Sequence, residues 1–148
     1  MVSKIMVPID GSENSLRALD FAINMAKNYK AKIYIIHVVV YHPFPSVEGG
    51  INPEKDMNRI YNEERLNQVC RSITVEAEDK LRQQGISDFD VICKLSQDAT
   101  EEILNTSREK GVDIVIMGKR GMGKLKKLFM GSVSDKVCKL SSRTCLIT

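Results

Sequence analysis

Hydrophobic residues along this chain recur in two alternating rhythms, one of short β-rich runs and one of helical spacing. Lys4-Ile5-Met6-Val7-Pro8-Ile9 is a brief apolar run that stops at Asp10-Gly11-Ser12. Leu16, Leu19, Ala22, Ile23 and Ala26 then fall on one helical face, and Ser12 is placed to cap the helix that carries them. The segment 32–40, KIYIIHVVV, is dense in β-branched residues and predicts a central strand. From Tyr41 to about Asn58 the composition changes: Pro43, Pro45, Gly49, Gly50 and Pro53 predict a long loop or lid. A helix is expected from about Arg59 to Gln84, with Ile60, Leu66, Val69, Ile73, Ala77 and Leu81 facing inward and Gly85 as its stop.

The second half repeats the alternation. Residues 89–95 alternate as a third strand, and Asp98-Ala99-Thr100-Glu101 has capping-box spacing with Asp in the place of Ser or Thr. The helix it opens carries Ile103 and Leu104 and ends at Gly111, with Thr100, Thr106 and Ser107 expected on its surface. Residues 113–117 predict a fourth strand, 132–140 a short helix, and 144–148 a last strand. The order β-α-β-loop-α-β-α-β-α-β implies an α/β fold: an open, doubly wound, mainly parallel five-stranded sheet with helices on both faces. Ligands of such sheets bind beyond the carboxyl ends of strands where the winding reverses. Two ends stand out, Pro8-Ile9-Asp10-Gly11 and Met117-Gly118. With no repeat and no low-complexity tract, residues 1–148 are read as a single domain.

Charge and composition narrow the function. The net charge of +3 is the balance of 22 basic and 19 acidic residues, too even to argue for nucleic-acid binding, and aromatic residues are few. No apolar run approaches the ~18 residues that span a bilayer. The first residues lack the apolar core of a signal peptide, so a cytoplasmic protein without a membrane partner is expected. Cys70, Cys93, Cys138 and Cys145 form no C-x-x-C pair, and with only His37 and His42 beside them no metal-ligand spacing emerges. The cysteines are read as reduced packing residues; a redox-sensing role has no support in their spacing. His37 and His42 are read as packing and loop residues.

The chemistry concentrates after the fourth strand. Gly118, Gly121 and Gly123 let a backbone turn tightly and bring N–H groups to a phosphate oxygen, and Gly131-Ser132 opens the next helix, whose first amides and positive dipole end suit an anion. Between them Lys119, Arg120, Lys124, Lys126 and Lys127 make a local cationic patch. A surface loop with solvated charges is the plain alternative, and glycines at a strand end and at a helix start argue against it. Residues 118–124, GKRGMGK, match the opening of a P-loop, but Leu125 stands where the magnesium-binding hydroxyl is required, and Gly131 interrupts the helix that should follow. Asp10-Gly11-Ser12 lacks G-x-G-x-x-G, which removes a dinucleotide fold of the dehydrogenase type.

The spacing that does fit is G-x2-G-x9-G-[ST], here Gly118, Gly121, Gly131 and Ser132. Together with VPIDGS at 7–12, His37-Val38 near the end of the second strand, and VDIVIMG at 112–118, it makes the chain resemble the universal stress protein family, more narrowly its ATP-binding branch. The resemblance covers nearly the whole chain and implies strand order 3-2-1-4-5, a Rossmann-like sheet of the adenine nucleotide alpha hydrolase type. It implies that Pro8 and Asp10 border the nucleotide, with the Asp10 carboxylate near the ribose hydroxyls and the Val38 backbone at the adenine edge. Met117 and Gly118 would line the ribose and α-phosphate, Gly121 and Gly131 would approach the phosphates, and Ser132 with the Val133 amide would bind phosphate oxygens. For Asp10 a helix-capping role beside Ser12 stays open, and for Pro8 that of a strand terminator.

Function follows as an expectation. An ATP-binding regulatory module in stress response is the leading reading, with at most slow hydrolysis because no general base and no carboxylate before Asp135 neighbours the glycine segment. Mg or Mn could bridge the phosphates, although no dedicated cage is present. A dimeric scaffold without nucleotide and a weak ATPase or phosphotransferase are the alternatives. The resemblance also implies a homodimer through the apolar last strand, with an unidentified protein partner; ending at Thr148 would shorten that contact.

Overall fold

The computed structural model describes residues 1–41, 62–119 and 130–148. Among the described residues five strands and four helices alternate: β1 (Lys4–Pro8), α1 (Glu13–Tyr29), β2 (Lys32–Val40), α2 (Glu63–Gln83), β3 (Phe89–Ser96), α3 (Ala99–Glu109), β4 (Ile114–Met117), α4 (Ser132–Leu140) and β5 (Thr144–Ile147). All strand pairs are parallel, in the order β3-β2-β1-β4-β5. The chain winds from β1 outward to β3, returns across the sheet, and continues from β4 to β5. The winding therefore reverses between β1 and β4.

Right-handed crossovers set the face each helix covers by the direction of travel along the sheet, one direction for α1 and α2 and the opposite one for α3 and α4. On one face α1 and α2 cover Ile5, Val7, Ile33, Ile35, Ile114 and Ile116. On the other, α3 and α4 cover Met6, Tyr34, Ile36, Val115 and Met117 through Ile103, Leu104 and Val137. The alternation of a strand thus appears as two cores, one for each parity of β1 and β2. Leu19, Ala22 and Leu81 are fully buried, and a leucine buried this way contributes roughly 1.5–3 kcal/mol. Among the described residues no helix is long and apolar enough to cross a membrane.

Local signals act as the chemistry requires. Ser12 caps α1 by accepting from the Ser15 amide (3.2 Å), and Asp98 caps α3 by accepting from the Thr100 (2.7 Å) and Glu101 (3.2 Å) amides. Gly85 and Gly111 stand at φ +74° and +62°, where a Cβ is disfavoured, just beyond α2 and α3.

Three expectations are corrected. The described α2 starts at Glu63, with Asn62 as its cap through a 2.8 Å bond from the Arg65 amide; Ile60 and the rest of 42–61, including His42, lie outside the described residues. Ala77 and Leu81 are buried as expected and Ile73 packs half-buried against the core, but Leu66 and Val69 are only half-buried, and the fully covered positions also include Cys70 and Thr74, which meets burial with a hydrogen bond to Glu78 Oε1 (3.1 Å). Thr100, Thr106 and Ser107 are buried, not on the helix surface. Ser107 satisfies its hydroxyl on the Leu104 carbonyl (2.8 Å) and Thr106 on Glu102 Oε1 (3.4 Å), so short polar side chains fit under the helix without an unmet donor.

Candidate functional site

The carboxyl end of β1 is shaped by a missing donor. The β1–β2 register runs through Pro8↔Ile36, and the Ile9 amide continues it to the Ile36 carbonyl at 2.8 Å. Since Ile9 N–H points to β2, the alternate position 8 faces β4, and proline has no N–H to give there. The β1–β4 register accordingly ends at Met6↔Val115, two residues short of Pro8. The ladder stops where the winding reverses, which is where the ligand crevice of an open α/β sheet is expected. Pro8 is thus both a terminator of one ladder and a border of this crevice.

The chain then turns on Asp10-Gly11-Ser12. Asp10 Oδ1 accepts from the Ser12 amide (3.0 Å), which holds the turn, and Gly11 takes φ +81°, in the left-handed region. Asp10 therefore supports the entry to α1, while Ser12 supplies the cap itself. His37, on β2, donates Nδ1–H to the Ile9 carbonyl at 2.7 Å and ties the same turn to the neighbouring strand. That bond accounts for His37 as a packing residue. By the register, Val38 stands two positions past Ile36, level with position 10; it pairs with Lys94 and is half-buried against the α3/α4 core.

Across the crevice, Met117 is buried and Gly118 follows it. A Cβ on Gly118 would lie 2.6 Å from the backbone carbon and oxygen of Asn14 and 2.8 Å from its Cβ. The glycine is therefore demanded by α1, whose first turn rests on the end of β4. Two bonds then fix the start of α4, Ser134 Oγ to the Gly118 carbonyl (2.9 Å) and the Gly131 amide to the Lys119 carbonyl (2.8 Å), and the Lys119 amide is itself held by the Thr148 carbonyl (2.9 Å).

Gly131 is the N-cap of α4, in extended backbone (φ −64°, ψ 149°), and no side chain caps the helix. The amides of Ser132, Val133 and Ser134 occupy the first turn, where backbone donors lack intrahelical partners and the helix dipole is positive. Ser132 is exposed, so its hydroxyl is available beside them. The donor set suits an anion. Pro8, Asp10, Val38, Met117, Gly118, Gly131, Ser132 and Val133 all lie at the carboxyl end of the sheet or at the α4 start that faces it. Gly121 and the cations Arg120, Lys124, Lys126 and Lys127 fall outside the described residues.

Asn14 and Ser134 were missed from the sequence. Ser134 sits two residues into a helix and reads there as a weak helix former; only the fold shows it bonded to position 118. Among the described residues no three His, Cys, Asp or Glu side chains gather to hold a metal ion.

Known proteins can now be set beside this geometry. The sequence model of the universal stress protein family matches residues 1–148. The universal stress protein YxiE of Bacillus subtilis is 35% identical over 150 residues, covering 99% of each chain. The solved structure of MJ0577, a universal stress protein of Methanocaldococcus jannaschii, superposes with a TM-score of 0.66 at 27% identity, over 100% of this chain and 96% of that one. A universal stress protein solved in complex with cAMP superposes with a TM-score of 0.65 at 22% identity, over 99% and 96%. The parallel sheet, its strand order and the matched sequence agree: this chain belongs to the universal stress protein family.

Proposed function

We propose that this chain is a single-domain, cytoplasmic regulatory module that binds ATP across the β1/β4 crevice. The observation that carries the reading is the uncapped start of α4, held by two hydrogen bonds against the end of β4, beside the point where the β1–β4 ladder stops. A phosphate there would accept from the Ser132 and Val133 amides and the Ser132 hydroxyl. An anion at a helix start gains about 0.3–1 kcal/mol from the dipole, up to ~2 when partly buried. Asp10 would receive the ribose hydroxyls, Val38 the adenine edge through its backbone, and Met117 and Gly118 would form the floor. Gly121 is assigned to the phosphates by the glycine spacing alone. The cAMP complex of a family relative supports an adenine nucleotide as the ligand class.

No general base stands among the residues assigned to this role, so the chain is read as a binder with at most slow hydrolysis. Mg or Mn, bridging phosphate oxygens, would neutralise charge there. Homodimer formation is assigned to β5, an edge strand whose Cys145, Leu146 and Ile147 stay partly exposed. The test is mass spectrometry of nucleotide released from freshly purified, denatured protein, with calorimetric titration of ATP. Recovery of an adenine nucleotide and saturable binding are expected. Neither one, in folded protein, would end the reading.

One observation favours the alternative of a nucleotide-free dimeric scaffold: Gly118 is required by Asn14 whether or not a ligand binds. An intact dimer that takes up no nucleotide would select it.

A further inference from the structure

The four cysteines, unrelated in spacing, are brought by the fold into two adjacent pairs. Cys138 of α4 meets Cys145 of β5 in one. In the other, the Cys93 thiol of β3 donates to the Leu66 carbonyl at 3.7 Å, one helical turn before Cys70 on α2, so the two thiols are neighbours. Cys70 is buried to 3% exposure and Cys93 is half-buried. Both line a cleft of about 910 Å³ along α2 and the edge strand β3, whose walls include Asn67, Arg71, Thr74 and Glu78. This cleft flanks β3, with β2 between it and the β1/β4 crevice.

We propose that Cys70 and Cys93 are an oxidisable pair that closes to a disulfide when a peroxide enters this cleft, stapling α2 to β3. The geometry assigns each thiol a part. Burial holds both thiols above their ordinary range, so attack is slow at neutral pH and quickens as pH rises. The neighbouring Cys70 offsets part of that rise at Cys93, and Cys93 is the better exposed of the two, which makes it the nucleophile. The Cys93 thiolate attacks the O–O bond of the peroxide, forming a sulfenic acid and releasing hydroxide. Cys70 then loses its proton and attacks that sulfur; the S–S bond forms, the S–O bond breaks, and hydroxide leaves and takes up a proton. Two thiols and one hydrogen peroxide give one disulfide and two waters, with two electrons passing from sulfur to oxygen.

The test uses the full chain carrying C138S and C145S, treated with hydrogen peroxide at pH 7 and pH 9 and digested without reductant. The expected product is a peptide joining Cys70 to Cys93, lighter by two hydrogens than its parts, formed faster at pH 9 and reversed by dithiothreitol. Removing Cys70 in addition, as C70A, should leave Cys93 as a sulfenic acid that dimedone traps; removing Cys93, as C93S, should leave Cys70 unlabelled. Closing the loop should raise the thermal midpoint by roughly 5–10 °C. Because C70A alters a buried position, the peptide map of the protein with both thiols present decides the matter. Cys70 and Cys93 recovered separately alkylatable, or oxidised only to sulfinic acids, would overturn the proposal.

Discussion

Replacing Gly118 with alanine separates what the fold demands from what a ligand demands. The added methyl would sit 2.6 Å from the Asn14 backbone carbon and oxygen, where ordinary contact begins at 3.4 Å. The start of α1 and the end of β4 must then part by about 0.8 Å, the difference of those two distances. Neither side yields easily: Val115 and Ile116 of β4, and Ala18, Leu19 and Ala22 of α1, are fully buried. Overpacking of this kind costs roughly 1–3 kcal/mol. At about 2–4 °C per kcal/mol for a chain near this size, the midpoint should fall by about 2–12 °C. The assay is thermal and urea unfolding of nucleotide-free protein, followed by circular dichroism. A glycine present only to admit phosphate would leave that stability untouched and change affinity alone. Midpoints equal to those of the unsubstituted protein, with an equal m-value, would refute the packing account.

Two further substitutions test the neighbouring claims. Gly131→Asp places a capping carboxylate in backbone that suits an N-cap; stability should hold or rise by a few tenths of a kcal/mol, while calorimetry should show ATP affinity at least tenfold weaker. Undiminished affinity would remove the α4 start from the site. Asp113 accepts from the Ser3 amide (2.7 Å), the Lys4 amide (3.0 Å) and the Ser3 hydroxyl (2.9 Å), bonds that hold its carboxyl below the ordinary 3.8. With the folded value depressed, its stabilisation is fully present above the unfolded value and is lost as pH falls through the folded one. The stability gap between the native protein and Asp113→Asn should therefore close in acid below about pH 3.8, and a gap constant through that range counts against the linkage.

How far the sequence revealed this molecule depended on whether a signal was local. The run at 32–40 and the Asp98 cap each contain their own cause, so β2 and the start of α3 are legible. The α2 start was set too early because Ile60 continued the apolar spacing, whereas Asn62 followed by Glu63 and Glu64, a capping residue and an acidic first turn, was the better sign. Thr100, Thr106 and Ser107 looked like surface residues by type; their burial depends on partners such as Glu102 and the Leu104 carbonyl that only a formed helix supplies. At the site, Gly118 was found for a phosphate, and the contact that requires it, with Asn14, lies 104 positions away in sequence and is invisible without the fold. The pairing of Cys70 with Cys93 was hidden in the same way.

The bonds at the far end of β4 have a mechanical meaning. Thr148 gives its amide to the Met117 carbonyl and takes one from Lys119, and Lys119 in turn receives Gly131. The floor of the crevice, the anchor of α4 and the tail of the edge strand are therefore links of one hydrogen-bonded chain. A second strand zipped alongside β5 would pull on that chain directly, and a tug at the crevice would travel outward by the same route. Edge and crevice are two ends of a single lever.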